Sequence, residues 1–245
     1  DAPRVAFCFV QLLNGVVTEP SDLLTPRKGL AWGQAVTTPD PGGFDWGGDD
    51  FQPFLIAGDV SLIEGAGCRA AKELAESGAG TLRWLPLRVI SAGTLEGARH
   101  HVMVATGCIG DGCGAEPGLS EVWAVLSRIT EPAHVGLQGL NASRGSGPLE
   151  FGSAGIVFAK DVAYGAIAPF PPLLAHPKSA YQSPVLEAKG GDGVFTSSWA
   201  EALERAGISE LEDGRSYAAI ALGPLESGGS FNPRALTVVQ TVIGD

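Results

Sequence analysis

Basic charge is scarce in this 245-residue chain: 16 Lys and Arg stand against 27 Asp and Glu, a formal net charge of −11. The basic residues are also scattered, and Arg27-Lys28 is the only adjacent pair. Binding to nucleic acid releases counterions through clustered cations, so no direct nucleic-acid partner is expected. Long hydrophobic runs are missing too. No stretch approaches the roughly 18 to 20 apolar residues of a membrane helix, so no membrane span is expected. The start, DAPRVAFCFV, has no initiator Met and no basic segment or cleavage site of a signal peptide. It reads as a mature product whose leader was removed, or as a chain processed in another way. Cysteine is sparse. Cys8, Cys68, Cys108 and Cys113 form an even set, which in a chain of this length leaves the redox state open.

What the chain does have is apolar content and turn residues. Hydrophobic residues make up 44% and charged residues 18%, which places it with folded proteins that bury a core. With 35 glycines and 17 prolines, turns should be frequent. All-β architectures often run to about 200–250 residues as one unit, so a single domain over 1–245 is expected.

Local patterns supply the elements. In VAFCFVQLLNGVVT, residues 5–18, two apolar runs flank Asn14-Gly15, the preferred pair for a type I′ hairpin turn. GLAWGQAVTT, residues 29–38, alternates as a further strand, and PDPGGFDWGGDD, residues 39–50, is a loop by composition. Strands resume at Phe51. CRAAKELAES, residues 68–77, has helix-forming composition and is followed by Gly78, a natural residue beyond a helix end. TLRWLPLRVIS and ARHHVMVAT, between Thr81 and Thr106, read as two strands of a sheet. Residues 108–118 form a loop, and LSEVWAVLSRIT, residues 119–130, fits strand better than helix. Residues 149–168 look extended. PFPPLLAHPKSAYQSP then places five prolines between Pro169 and Pro184, which no regular ladder tolerates.

The second helix has the clearer boundaries. Ser198 and Glu201 have capping-box spacing, Gly207 ends the segment, and Trp199, Ala202, Leu203 and Ala206 make an apolar stripe that should pack on a sheet. SYAAIAL and RALTVVQTVI make a last pair of strands. The expected fold is α+β and β-rich, with about nine or ten strands in sandwich or barrel-like sheets and two short helices. Irregular loops are expected at 39–50, 108–118 and 169–184.

Several patterns could carry chemistry. Val60 to Leu85 runs strand, Gly65-x-Gly67-x-x-Ala70, helix, Gly78 and strand. That is the local order of a dinucleotide-binding unit, in which glycines let backbone N–H groups reach a pyrophosphate. No acidic residue ends the second strand to hold a ribose, although Arg83 and Arg88 could meet a 2′-phosphate. An ordinary strand-turn-helix connection is the stronger reading, because one glycine pattern has little specificity among 35 glycines. Cys108 and Cys113 follow His100 and His101, but their spacing suits a local disulfide or free thiols better than zinc. His100 and His101 are adjacent on a strand and so point to opposite faces. Asp40, Asp45, Asp49 and Asp50 could offer oxygen ligands to Ca²⁺, yet they lack EF-hand spacing and read as a solvated acidic loop. No G-x-S-x-G elbow is present, since GSAG at 152–155 and GSG at 145–147 lack its spacing. Asn141-Ala142-Ser143 is a glycosylation sequon.

No coherent catalytic set emerges, and no resident metal or cofactor is called. A rigid β-rich acidic chain suits a structural or interaction role within a larger homo- or hetero-oligomeric assembly. The expectation is an outer or protruding protein of a viral or virus-like shell, particle-associated or extracellular, with Phe44, Trp46, Pro171 and Pro172 as contact residues. Two alternatives stand beside it. One is an NAD(P)- or nucleotide-binding enzyme using Gly65, Gly67 and Ala70. The other is a secreted ligand- or carbohydrate-binding module using Phe44 and Trp46.

Overall fold

A computed structural model describes residues 4–14, 16–17, 29–36, 48–78, 81–94, 100–107, 119–127, 131–168, 177–181, 185–191, 193–223 and 235–240. The fold is β-rich with two short α-helices. The chain divides into two compact units, Asp1–Trp32 with Thr38–Ala98, and Gly33–Thr37 with Arg99–Asp245. Among the described residues no helix is long and apolar enough to cross a membrane.

Unit 1 is an antiparallel sheet with one helix. Strand β1 (Arg4–Leu13) turns into β2 (Val16–Val17), with Leu12 opposite Val17 and Leu13 opposite Val16. That is the hairpin expected from Asn14-Gly15, and Asn14 takes φ 54°, the left-handed value such a turn requires. Strand β3 (Asp50–Gly58) pairs along β1, and β4 (Arg83–Pro86) pairs with β3, giving the order β2-β1-β3-β4. Alternation in β1 puts Ala6, Cys8, Val10 and Leu12 on the buried side. Helix α1 (Cys68–Glu76) follows a 3-10 turn at Val60–Ile63. Ala6, Cys8, Ile56, Val60, Ile63, Cys68, Ala71 and Leu82 form the core beneath it. Phe54 and Trp84 stack with centroids 4.7 Å apart. Gly58, at φ 121°, ends β3 where a Cβ would lie 2.3 Å from the Thr81 carbonyl oxygen, so only glycine fits.

Of the strand expected over 29–38, the described residues 29–36 form no regular strand. Leu30 alone bridges to Val5, through two backbone hydrogen bonds of 2.7 and 2.9 Å. Gly33, at φ 78°, then breaks the extended path, and Ala35 N–H donates to the Arg205 carbonyl in unit 2. Tertiary hydrogen bonding overrides the local alternation there. The two segments between Thr81 and Thr106 also separate: β4 joins the unit 1 sheet, whereas His100–Thr106 pairs elsewhere.

Among its described residues unit 2 holds three sheets. Strands β5 (His100–Thr106) and β6 (Ser120–Leu126) form a two-stranded sheet, so 119–127 is strand as its composition suggests. Strands β7 (Gly136–Ala142), β8 (Leu149–Ser153), β9 (Ile156–Val162), β10 (Val185–Gly190) and β11 (Gly193–Ser198) lead to helix α2 (Trp199–Arg205). Strands β12 (Ser216–Leu222) and β13 (Ala235–Gln240) follow. The sheet orders are β11-β10-β8-β9 and β13-β12-β7, and β7 runs parallel to β12. Leu137 on β7, Phe151, Phe158, Leu186, Phe195, Tyr217, Leu236 and Val238 share one core, so these two sheets face each other across it. Every residue of β7 and β12 is buried, and β6 lies against both strands. Burial on both faces removes the alternation that reveals a strand, which is why β7, with the sequence GLQGLNA, escapes sequence reading. Strands β10 and β11 likewise carry no clear strand signal in their sequences, VLEAKG and GVFTSS. The strands outnumber the nine or ten expected, and no sheet closes into a barrel among the described residues.

Candidate functional sites

The glycine turn of unit 1 departs from the unit its sequence resembles. A dinucleotide crossover joins two parallel strands through the helix. Here β3 and β4, the strands on either side of α1, are antiparallel neighbours with Leu55 opposite Leu85 and Ile56 opposite Trp84. A 3-10 turn also separates β3 from the glycines. Gly65 sits at φ 77°, Gly67 is the extended N-cap of α1, and Ala70 is half-buried in the first turn. The ordinary connection is the reading that the pairing favours.

Beside Gly67 lies a covalent bond. Cys68 is joined to Cys8, 60 residues earlier, and both are fully buried. Cys108 and Cys113 lie outside the described residues. So do Asp40, Asp45, His176, Phe44, Trp46, Pro171 and Pro172.

Of the acidic loop, Asp49 and Asp50 are described, and both serve as struts. Asp49 accepts a hydrogen bond from the Gln11 side-chain amide, and Asp50 accepts one from Ala92 N–H at 2.8 Å. Of the described histidines, His100 and His101 are neighbours on β5, and His134 precedes β7. Among the described residues no group of three or more His, Cys, Asp or Glu side chains could hold a metal ion.

The sequon is a structural device. Asn141 is 0% exposed on β7. Its Nδ2 donates to the carbonyls of Gly147 at 2.9 Å and Val162 at 3.0 Å, while its Oδ1 accepts from Ser143 N–H at 3.0 Å and Ser146 Oγ at 3.2 Å. Every hydrogen-bonding position of the amide is used, which leaves none for a glycan. Ser143 Oγ in turn donates to the Gly223 carbonyl. The GSG of 145–147 thus encloses Ser146 in this network, and the GSAG of 152–155 is the β8–β9 turn, with Ala154 at φ 54° and Gly155 at φ 80°.

A second polar seam fixes α2. Trp199 Nε1 donates to Ser153 Oγ at 2.7 Å, and Ser153 Oγ donates to the Val185 carbonyl at 3.0 Å. Arg205 donates to Ser197 Oγ and to the Leu236 carbonyl of β13. The capping box expected from Ser198 and Glu201 is present in both directions. The Ser198 backbone N–H holds the Glu201 carboxylate below its ordinary value, with the Ser197 and Ser198 hydroxyls and Arg205 adding to the effect. A carboxylate whose pKa is depressed on folding stabilises the fold above the unfolded value and loses that contribution as pH falls through the folded one. The contribution of Glu201 should therefore be present above about pH 4.5 and fade below it. Glu201→Gln should flatten the acid limb of the stability curve between pH 5 and pH 3 relative to wild type, measured by thermal melts in matched salt. Parallel limbs for the two proteins would contradict this assignment.

The side chains missed by sequence reading are Leu13 and Val16. They flank the β1–β2 turn and are 50% and 67% exposed. Their signal was in the sequence, because apolar residues next to an Asn-Gly tip extend past the sheet that would cover them. At the same end of the sheet, Leu12 lies opposite Asp50, where the segment carrying Phe44 and Trp46 joins β3.

No protein-family model matches the chain, and no curated protein is significantly similar to it.

Proposed function

We propose that the chain is a non-enzymatic structural or interaction protein that works as a component of a larger assembly with other protein subunits. The observation that carries this reading is the apolar hairpin tip. Leu13 and Val16 project at the end of the unit 1 sheet where Leu12 of β1 lies opposite Asp50 of β3. Apolar side chains held on a rigid hairpin lose little conformational entropy on contact, which favours recognition of a protein surface. The buried polar residues of unit 2 support the same reading, since Gln138, Asn141, Ser143 and Ser153, with the half-buried Arg205, are spent on bracing strands and loops.

The Cys8–Cys68 disulfide favours an oxidising location such as a secreted pool or a particle surface. The more specific version, an outer or protruding protein of a viral or virus-like shell, draws on the net charge of −11, which suits a surface away from a genome. The disulfide equally favours the secreted binding module that would use Phe44 and Trp46.

Light scattering on size-separated native material, taken from its source, tests the reading. A large defined particle is expected, and Leu13→Ser/Val16→Ser should shrink it at least tenfold in association constant, about 1.4 kcal/mol, with the melting temperature unchanged. A monomeric native protein would overturn the assembly reading. If Trp46→Ala then abolished ligand binding with the fold intact, the binding module would replace it.

A further inference from the structure

We propose that unit 1 is completed by an oxidation step, in which a thiol–disulfide oxidant joins Cys8 to Cys68 and that bond docks α1 onto the sheet. The inference concerns how unit 1 is made, so it stands whether or not the assembly reading does.

The two bonded residues are held very differently. Cys8 lies in the middle of β1, whose pairing with β3 runs from Arg4 opposite Gly58 to Leu12 opposite Asp50. That ladder positions Cys8 without help from sulfur. Cys68 is the first residue of a short helix with a small buried face. α1 has 9 residues, and isolated helices shorter than about 12–15 residues are marginal in water. Its N-cap Gly67 makes no side-chain capping bond, and no acidic residue stands in its first turn. Only Cys68 and Ala71 on it are fully buried, with Leu74 and Ala75 packed at the margin of the core. One small methyl and one sulfur are a slight apolar anchor.

Helix α2 provides the internal contrast. It is shorter, at 7 residues, yet it has a complete capping box, buries Trp199, Ala202 and Leu203, and is tied to the strands through Trp199 and Arg205. It needs no covalent link. In α1 the sulfur bond supplies a covalent anchor at the first helical residue.

One cysteine thiolate attacks a sulfur of the oxidant's disulfide, forming a mixed disulfide and releasing an oxidant thiolate. The second thiolate attacks the chain's sulfur in that mixed bond, forming Cys8–Cys68 and expelling the other oxidant thiolate. Two electrons and two protons pass from the cysteines to the oxidant, which ends as a dithiol.

Hydrogen exchange read by mass spectrometry on the full chain tests the docking. In Cys8→Ala/Cys68→Ala, amides from Ala71 to Ser77 should exchange at least about a hundredfold faster than in the oxidised wild type, while those of α2 keep their protection. In parallel, reduced and denatured wild type is refolded with glutathione disulfide alone, and its disulfides are trapped by acid and mapped over time. Cys8–Cys68 should be the first bond involving either residue. Unchanged α1 protection in the variant overturns the proposal, and so does loss of protection in both helices. An early Cys8 or Cys68 bond to Cys108 or Cys113 overturns the direct pairing.

Discussion

Asn141→Ala should destabilise unit 2 by about 4 kcal/mol, since each buried group left without a partner costs roughly 1–3 kcal/mol. The substitution strips four hydrogen bonds at once. The Val162 carbonyl loses its side-chain donor, Ser143 N–H its acceptor, and Gly147 and Ser146 lose one partner each. Ser146 Oγ keeps the Ser143 and Gly147 carbonyls as acceptors, so its share of the loss is small. Asn141→Asp separates charge from shape. A carboxylate still accepts from Ser143 and Ser146, but it would face the two carbonyl oxygens of Gly147 and Val162 with no hydrogen to offer. It should therefore fail to restore stability at neutral pH. The midpoint of urea unfolding, followed by a probe in unit 2, gives both values. A loss below about 1 kcal/mol for Asn141→Ala would mean that the network contributes little more than an exposed one. Production in a glycosylating host adds a second readout, because the folded protein should carry no glycan at Asn141.

Gly139→Val should cost about 3 kcal/mol, near the upper end for overpacking a filled core. Gly139 lies on β7 opposite Ala219 of the parallel strand β12. A Cβ built there would stand 2.3 Å from Cδ2, 2.6 Å from Cγ and 2.8 Å from Cε2 of the Phe151 ring. That ring is fully buried, its centroid 6.3 Å from that of Phe158, so it cannot swing into solvent. Glycine is present because an aromatic ring from the facing sheet occupies the volume where a side chain would be. Two surfaces fill one space. The test is a double-mutant cycle with Phe151→Leu. Each single substitution should destabilise, and the pair should be less destabilised than their sum by at least 1 kcal/mol, as contacting residues that relieve each other's strain behave. Strict additivity would show that the ring and the glycine do not share the site.

Much of the fold was legible from short stretches. Asn14-Gly15 announces its hairpin because few residue pairs tolerate two positive φ angles. Ser198, Glu201 and the stripe from Trp199 announce α2 because caps and periodicity act within one or two turns. The alternation of β1 shows in its sequence because one side is packed and the other is less so. Legibility failed where these local rules meet a competing partner. The segment after Leu30 alternates as a strand should, but Ala35 finds its acceptor on Arg205. Strand β7 carries Gly136, Gln138, Gly139 and Asn141, residues that disfavour strands. It holds because β12 pairs along its whole length, Gln138 donates to the Ala168 carbonyl and Asn141 to that of Val162 on β9.

The candidate sites divide in the same way. Gly65, Gly67 and Ala70 matched a phosphate-binding pattern at the level of spacing, and only strand direction distinguishes that pattern from a plain turn. The sequon Asn141-Ala142-Ser143 was read correctly as text. Burial makes it a brace. Leu13 and Val16 passed as strand residues, although a hairpin tip is the place where apolar residues run out of sheet to cover them.

By itself the sequence determined the Asn14-Gly15 hairpin, the capped start of α2, the β-rich character and the negative net charge, because each depends on backbone preference or composition rather than on distant partners. The tertiary structure alone decided that Cys8 finds Cys68, that β3 and β4 run antiparallel around α1, that β7 lies parallel to β12, and that Asn141 is enclosed. Those facts are contacts between segments far apart in the chain. Their free energy comes from surfaces that exist only once both partners are folded, so no stretch of sequence contains them.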